Sequence, residues 1–159
     1  MVADAIRKAK ATRLFDIVAV SSDDLEILSI AASEGAIPMW RTPEASSDTA
    51  DDDDVAKEVL RYFPQELYAC KLYPCVPLLE PIDLIEAWRI MRDTGRDIYS
   101  VDKDGKDAGA FYFFAISSLW KKGTIATDRH RWTKYTLEVC QDINTPEDFE
   151  EAKRKANVN

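Results

Sequence analysis

Glycine, histidine and long apolar runs are scarce in this sequence, and each shortage excludes a class of site. The five glycines begin only at Gly35, so no glycine-rich basic loop is present to cradle phosphate. The single histidine, His130, has no serine or cysteine pattern near it that indicates a nucleophile relay. No apolar run approaches the roughly 20 residues of a membrane span, so we expect no membrane partner.

Cysteine is also scarce. Cys70, Cys75 and Cys140 make an odd count without framework spacing, which predicts a reducing compartment. Because the first residues show no apolar signal region, we expect a cytoplasmic protein. Cys70 and Cys75 flank a proline without a histidine partner, and we interpret them as small buried hydrophobes rather than metal ligands.

What the chain does have is acidic charge and ample apolar residues. The net charge is −8, which argues against nonspecific binding to nucleic acid or anionic membranes. The 159 residues are 46% hydrophobic, enough for a single domain over 1–159 with a substantial core. A nucleotide, if bound, would have to be held by local groups or a metal.

Helical and strand patterns alternate along the chain, which predicts an α/β fold with three α/β/α layers and a mostly parallel sheet. Such sheets bind ligands at the carboxyl ends of their strands. Helices are predicted at 2–13, 23–35, 51–62, 81–95 and from 145 onward, and strands at 17–20, 37–40, 67–72, 98–101, 111–116 and, as an edge strand, 132–139.

Several helix ends are marked by their residues. Asp23 with Glu26 forms a predicted capping box, as does Thr145 with Asp148. Gly35 suits the end of the second helix. The aspartate run at 51–54 has two interpretations: acidic residues at the positive end of a helix dipole, or metal ligands. Four basic or histidine residues form one local cluster, interpreted as a surface loop or as a substitute phosphate site: Arg129, His130, Arg131 and Lys134.

Four local patterns stand in order along nearly the whole chain. They are LFDIVAVSSDD at 14–24, AIPMWRTPE at 36–44 followed by SDTA at 47–50, LYPCVPLL at 72–79, and DAGAFY at 107–112 followed later by QDINTPED at 141–148. Together they resemble the acylneuraminate cytidylyltransferases, the CMP-sialic acid and pseudaminic acid cytidylyltransferase family, and the pseudaminic acid branch most closely.

The resemblance implies a Rossmann-like sheet of the nucleotide-diphospho-sugar transferase type. It also implies a nucleotidyltransferase that transfers CMP from CTP to a nonulosonic acid, such as sialic or pseudaminic acid, and releases pyrophosphate with Mg²⁺. CTP and the nonulosonic acid would be its small-molecule partners, and we expect a homo-oligomer.

The resemblance assigns roles to individual residues. Arg41 is a catalytic candidate that would meet phosphate or ribose oxygens by charge-assisted hydrogen bonds; the alternative is a surface arginine. Gly109 would border the sugar pocket or serve as a simple turn glycine. The candidate substrate-binding residues are Ser47, Asp48, Tyr73, Pro74, Asp107, Gly109 and Tyr112.

Asp142 matches the first acidic residue of the family's Asp-Ile-Asp metal motif and is the second catalytic candidate. The other motif position is Asn144, whose amide oxygen can coordinate a hard cation but brings no negative charge. The metal ligands implied are therefore Asp142 and Asn144. Alternatively, both residues only organise the turn before the last helix.

The sequence departs from the family in three places, so we describe the fold as truncated. It has no counterpart of the family's first strand and phosphate-binding loop. Only the residues 102–106 stand where the family has a long insert for the sugar pocket and dimer contact, and Asn144 replaces an acidic residue. A missing central strand would leave unpaired N–H and C=O groups. The gap would be repaired by another chain or segment, or closed by a different strand order.

Three functions follow from these observations. The first is an active cytidylyltransferase. The second is a catalytically inactive relative that acts as a binding or assembly module. The third is a half-enzyme that needs a separate N-terminal segment.

Overall fold

The computed structural model describes residues 1–122 and 132–156. Helices and strands alternate through most of this part of the chain. The helices are α1 (Val2–Ala11), α2 (Leu25–Ser33), α3 (Asp52–Leu60), α4 (Pro81–Thr94), α5 (Ile116–Lys122) and α6 (Pro146–Ala156). The strands are β1 (Ala19–Ser22), β2 (Ile37–Trp40), β3 (Tyr68–Leu72), β4 (Ile98–Val101), β5 (Asp107–Ala115) and β6 (Thr133–Thr136).

The strands of this described part form two sheets. One contains β1 and β2 in parallel, and the other has the order β3-β5-β4-β6. Strand β4 runs parallel to β6, whereas β5 is antiparallel to both β3 and β4. The α/β class is confirmed, but the larger sheet is mixed rather than mostly parallel. The cause is the tight turn at 102–106, where the Asp102 N–H donates to the Lys106 carbonyl at 2.8 Å and the chain returns directly alongside β4.

Helices cover both faces of the larger sheet. The side chains of β5 alternate between these two faces, so the strand packs against helices on each side. Phe111 and Phe113 point to one side and pack with α4. Phe114 points to the other and packs with Leu60 of α3 and Leu119 of α5. The predicted three layers are therefore present around this sheet.

The smaller sheet has a thinner core, in which Ile6 of α1 packs with Ala31 of α2 and Ala36. Strand β1 was expected at 17–20 and buried on both faces. It lies two residues later, and Ala19, Val20 and Ser21 are only half-buried. The prediction failed because a strand with one neighbour in its sheet is shielded less than one between two neighbours.

Most predicted helix ends are confirmed. Gly35 and Gly95 take left-handed φ values of +70° and +66° at the ends of α2 and α4. At the start of α6, Thr145 and Asp148 bond reciprocally through N–H donors and side-chain oxygens at 2.9 and 3.2 Å. The cap of α2 is Asp24, not Asp23: its carboxylate accepts from the Glu26 N–H at 2.7 Å.

One predicted helix extends too far, and another helix was not predicted. Helix α1 ends at Ala11, and Arg13 takes a left-handed φ of +57°, so the helix does not reach Arg13. Helix α5 was not predicted, because Ile116 was assigned to the preceding strand. None of the helices in the described ranges is long and apolar enough to span a membrane.

Candidate functional site

The candidate residues gather where the strands end. Arg41 follows β2, Tyr73 follows β3, and Asp142 comes six residues after β6. Tyr112 lies on β5 opposite Lys71, next to the carboxyl end of β3. This edge of an α/β sheet is where ligands bind in folds of this type.

Side-chain contacts connect the beginning of α3 to the end of β3. Lys71 Nζ lies 2.7 Å from a carboxylate oxygen of Asp52, the first residue of α3. The Tyr73 hydroxyl donates to the same carboxylate. Lys71 Nζ also lies 4.8 Å from the centre of the Tyr73 ring. The contacts fix the beginning of α3 against the end of β3.

The network continues from Tyr73 to Tyr112. Their ring centres are 6.0 Å apart at an edge-on angle of 69°. The Tyr112 hydroxyl donates to the Asp107 carboxylate at 2.8 Å, and the same carboxylate accepts from the Gly109 N–H at 3.0 Å. We call Asp52, Lys71, Tyr73, Tyr112 and Asp107 the Tyr73 cluster.

Charge and burial within the Tyr73 cluster shift its pKa values. Partial burial would raise the pKa of Asp52, but hydrogen bonds from Lys71 and Tyr73 outweigh it, and the pKa is lowered. Burial lowers the pKa of Lys71, although Asp52 opposes the shift. Burial, followed by the hydrogen bond to Asp52, raises the pKa of Tyr73. At neutral pH the cluster holds an ion pair and a protonated phenol.

Arg41 reaches the neighbouring strand rather than solvent. Its Nη2 donates to the Ser21 carbonyl at 2.7 Å, and its Nε donates to the Ser21 hydroxyl at 3.3 Å. Its charge also contributes to the lowered pKa of Asp52. Arg41 therefore lies beside the Tyr73 cluster and pins the end of β1.

Gly109 has a structural reason to be glycine. It takes a left-handed φ of +58°, inside the irregular stretch where the pairing of β4 and β5 shifts register. An added Cβ would meet nothing within 4 Å, so backbone conformation rather than space favours glycine here.

Asp142 lies beside the Tyr73–Pro77 loop, and Asn144 contacts Asp142. The Ile143 N–H donates to the Cys75 carbonyl at 2.9 Å. Burial, and then a hydrogen bond with Asp142, raise the pKa of the Cys75 thiol to about 11. Asp142 thus contacts the segment that begins with Tyr73, and no direct contact joins Arg41 to Asp142 in the described part of the chain.

These two residues fit a divalent cation poorly. The Asn144 amide nitrogen donates a hydrogen bond to an Asp142 carboxylate oxygen at 3.0 Å. This bond occupies part of the carboxylate, which is the only charged metal ligand of the two. Over residues 1–122 and 132–156, no group of three or more His, Cys, Asp or Glu side chains is placed to hold a metal. A Mg²⁺ ion would need six oxygen ligands, most of them from elsewhere.

Three other predicted residues are not members of the Tyr73 cluster, although Pro74 directly follows Tyr73 in the chain. Ser47 donates to the Glu44 carbonyl at 2.8 Å within its own loop. Asp48 and Pro74 are exposed. The basic cluster at 129–131 lies outside the described residues; of its members only Lys134 is described, and its Nζ donates to the Gly105 carbonyl at 3.3 Å.

Asp52 and Lys71 were missed as site residues. The aspartate run was expected to cap α3, and Asp51 does so by accepting from the Asp53 and Asp54 N–H groups. Asp52 instead faces β3. The available signal was Lys71 itself, a cation in an otherwise uncharged strand, YACKL, whose side chain is only 19% exposed.

The three cysteines are free, as the sequence analysis expected. Cys70 and Cys75 pack against the main core. Burial raises the pKa of the Cys70 thiol, so it is protonated and unreactive at neutral pH.

Solved structures define the class of fold. CMP:2-keto-3-deoxy-manno-octonic acid synthetase in complex with CTP matches with a TM-score of 0.76 at 11% identity, over 99% of this chain and 87% of that one. 4-Diphosphocytidyl-2C-methyl-D-erythritol synthase from Anaerococcus prevotii matches with a TM-score of 0.72 at 12% identity, over 98% and 88%. A Mycobacterium tuberculosis protein solved with manganese matches with a TM-score of 0.63 at 16% identity, over 95% and 84%. The chain shares the fold of these solved proteins.

Two curated proteins resemble the chain in sequence. N-acylneuraminate cytidylyltransferase of Oncorhynchus mykiss is 28% identical over 146 residues, 86% of this chain and 32% of that protein. N-acylneuraminate cytidylyltransferase A of Danio rerio is 33% identical over 97 residues, 60% of this chain and 23% of that protein. The chain is thus similar to the N-acylneuraminate cytidylyltransferases, as its motifs indicated. No protein-family model matches it.

The likeness covers only part of those relatives. The chain spans about a third or less of the length of the two curated proteins it matches. Their activity and substrates therefore belong to the proposal that follows.

Proposed function

We propose that this chain carries a cytidylyltransferase site that transfers CMP from CTP to a nonulosonic acid. The observation that carries the proposal is the Tyr73 cluster with Arg41 beside it. Two cations, Arg41 and Lys71, and two aromatic rings, Tyr73 and Tyr112, converge at the carboxyl edge of the strands. This combination of charges and flat apolar surfaces suits a nucleotide triphosphate.

Each group has a role that its contacts permit. Arg41 offers a planar fork for phosphate oxygens. Lys71 would release the Asp52 carboxylate and bind a phosphate oxygen instead, since both partners are anionic. The Tyr73 and Tyr112 rings would border the base or the sugar. Asp107, anchored by Tyr112, would accept hydrogen bonds from sugar hydroxyls.

The reaction itself is a phosphoryl transfer. A hydroxyl oxygen of the nonulosonic acid attacks the α-phosphorus of CTP, and the bond between that phosphorus and the bridging oxygen to the β-phosphate breaks. Pyrophosphate leaves, and the hydroxyl proton passes to solvent. Cations near the triphosphate stabilise the charge that builds up on the departing pyrophosphate. Asp142 and Asn144 alone fit Mg²⁺ poorly, so the cations that would act here are Arg41 and Lys71.

The test is pyrophosphate release by the purified chain with CTP and N-acetylneuraminic acid, with and without MgCl₂. We expect release only when nucleotide and sugar are both present, and weaker release with UTP. Arg41→Ala should lower kcat/KM at least about tenfold, the loss of one charge-assisted contact. The exposed Arg61→Ala is the matched control and should leave the rate unchanged. No release with both substrates at high enzyme concentration would contradict turnover by this chain.

A binding protein without turnover is the second candidate. The observation that favours it is that both cations are already engaged, Arg41 by Ser21 and Lys71 by Asp52. This alternative predicts that CTP raises Tm while no pyrophosphate is released. Absence of both effects would reject the two candidates together.

A further inference from the structure

The ammonium group of Lys71 is a mostly buried cation with an exposed partner. The Lys71 side chain is 19% exposed, whereas that of Asp52, whose carboxylate lies 2.7 Å from Nζ, is 67% exposed. The Tyr73 ring centre lies 4.8 Å from the same ammonium. An anion that approaches Lys71 from solvent therefore meets the Asp52 carboxylate, because Asp52 is the exposed member of the ion pair.

Helix α3 does not depend on this carboxylate for its cap. Asp51 caps the helix by accepting from the Asp53 and Asp54 N–H groups, each at 2.9 Å. The Asp54 carboxylate completes the capping box by accepting from the Asp51 N–H at 3.2 Å. Asp52 belongs to the same turn, but its carboxylate contacts Lys71 of β3. It can therefore leave its partner without uncapping the helix.

The groups around Asp52 are those that would bind a phosphate. Lys71 pairs with its carboxylate, the Tyr73 hydroxyl donates to it, and the charge of Arg41 acts on it. An ammonium or a phenol donates to a phosphate oxygen as it does to a carboxylate oxygen, since both acceptors are anionic. The Asp52 carboxylate thus occupies the position at which these donors would meet a phosphate.

Lys71 has a physical need for an anion at this position. Burial lowers the pKa of Lys71, and the hydrogen bond and charge of Asp52 oppose that shift. A desolvated ammonium is stabilised by an anion in contact with it, whether the anion belongs to the chain or to a ligand. Because their negative charges repel each other, Asp52 and a ligand phosphate would compete for this cation.

We propose that Asp52 is an internal competitor, whose carboxylate occupies the phosphate position of the ligand-free chain and has to be displaced by any phosphate that binds Lys71. The inference rests on the proposed function, which places a phosphate at Lys71, and adds that Asp52 weakens binding there. The competition lowers the affinity of every ligand whose phosphate needs Lys71 by a common factor. Ligands without a phosphate are unaffected.

Asp52→Asn tests the proposal, because it removes the charge and keeps the size of the side chain. The ligands are inorganic tripolyphosphate, CTP and cytidine, and Kd is measured by isothermal titration calorimetry at about 50 mM salt. We expect Asp52→Asn to tighten the binding of tripolyphosphate and of CTP about threefold to fivefold. Cytidine, which carries no phosphate, should bind with an unchanged Kd.

The stability of the ligand-free chain should change in the opposite direction. Asp52→Asn deprives the Lys71 ammonium of its ion pair, so Tm without ligand should fall by about 1–2 °C. A residue that only supports the architecture of the site would lose stability and affinity together. A fall in Tm combined with a gain in affinity is therefore the signature of a competitor.

Two further variants separate competition for Lys71 from a general effect of charge. Asp54→Asn removes the same charge from the same turn of α3, at a carboxylate that bonds to the Asp51 N–H. It should tighten tripolyphosphate binding less than about twofold. Lys71→Met removes the contested cation and puts an unbranched apolar side chain in its mostly buried position. In that background, Asp52→Asn should gain no more than Asp54→Asn gains in the natural chain.

The outcomes distinguish failure of this inference from failure of the proposed function. The competition is rejected, while the proposed function stands, if the natural chain binds tripolyphosphate and Asp52→Asn binds it no more tightly. A gain no larger than that of Asp54→Asn, or a full gain in the Lys71→Met background, rejects the competition as well.

The reverse result is also defined. If Asp52→Asn gains affinity for tripolyphosphate, but CTP binds no more tightly than tripolyphosphate and no pyrophosphate is released, the competition stands and the proposed function fails. If neither the natural chain nor Asp52→Asn binds tripolyphosphate or CTP at millimolar concentration, both are rejected.

Discussion

The two sheets of this protein each contain a largely apolar strand of four residues, β2 and β4 respectively, yet these strands differ in burial. Every residue of β4 is buried, whereas Ile37 and Trp40 of β2 are 45% and 56% exposed. Strand β4 lies between two neighbours and under helices, while β2 is an outer strand of a two-stranded sheet. The number of neighbouring strands, more than the composition of a strand, decides how much its side chains contribute to stability.

The largest expected effect comes from removing a ring at the centre of the larger sheet. Phe113 is 2% exposed and stacks with Phe15 at 6.0 Å. Phe113→Ala should lower the free energy of unfolding by about 3–5 kcal/mol, since it loses apolar burial and leaves a cavity. Ile37→Ala in β2 is the matched change and should cost less than about 1 kcal/mol. Urea unfolding measures both, and equal losses would contradict the contrast between the sheets.

A buried hydroxyl sharpens the same contrast. Ser100 is fully buried in β4, and its oxygen accepts from the Ala110 and Phe111 N–H groups, both at 3.1 Å. These bonds satisfy the backbone where the register of β4 and β5 shifts. Ser100→Ala should cost about 1–3 kcal/mol, because two buried donors lose their acceptor.

Ser33 of α2 provides the control. Its hydroxyl is exposed and donates to the Ile30 carbonyl at 2.8 Å. Ser33→Ala should change the free energy of unfolding by less than about 0.5 kcal/mol. A larger loss of unfolding free energy for Ser33→Ala than for Ser100→Ala would show that the region of the smaller sheet contributes more to stability.

The smallest expected effect is on the pH dependence of the free energy of unfolding, through Asp52 at the junction of the two regions. The pKa of Asp52 is lower in the folded chain than in the unfolded chain, so its contribution is present above about pH 4 and is lost as pH falls through the folded value. Its side chain is 67% exposed, which limits the contribution to about 0.5 kcal/mol. Asp52→Asn should therefore flatten the fall of stability between about pH 4 and pH 2.

The exposed Asp104→Asn is the control for that change. It should leave the dependence of stability on pH as it is in the natural sequence. An identical slope for Asp52→Asn and the natural chain would mean that the ion pair with Lys71 does not persist in solution.

Local features of the fold could be predicted from the sequence, because they depend on a few adjacent residues. The left-handed turn at Gly95, the proline that opens α4 and the Thr145–Asp148 capping box are examples. The antiparallel direction of β5 could not, since it depends on how the turn at 102–106 folds back. The available clue was the connection of nine residues between the predicted strands 98–101 and 111–116, which is too short for a helical crossover.

The candidate site was predictable only in part. The motif resemblance pointed to Tyr73, Asp107 and Tyr112, and Tyr112 contacts both of the others. The ion pair of Asp52 with Lys71 joins residues 19 positions apart in the sequence. It depends on how the chain places the first turn of α3 beside the end of β3. The roles of all the predicted site residues in substrate binding, metal binding or catalysis stay predictions.

The most direct test of a nucleotide site at the carboxyl edge is chemical-shift mapping of the ¹⁵N-labelled chain during titration with CTP. The account predicts saturable shifts at the amides of Arg41, Lys71, Tyr73 and Tyr112, with α1 unaffected. Shifts confined to α1 and α2, or no shifts at millimolar CTP, would contradict it.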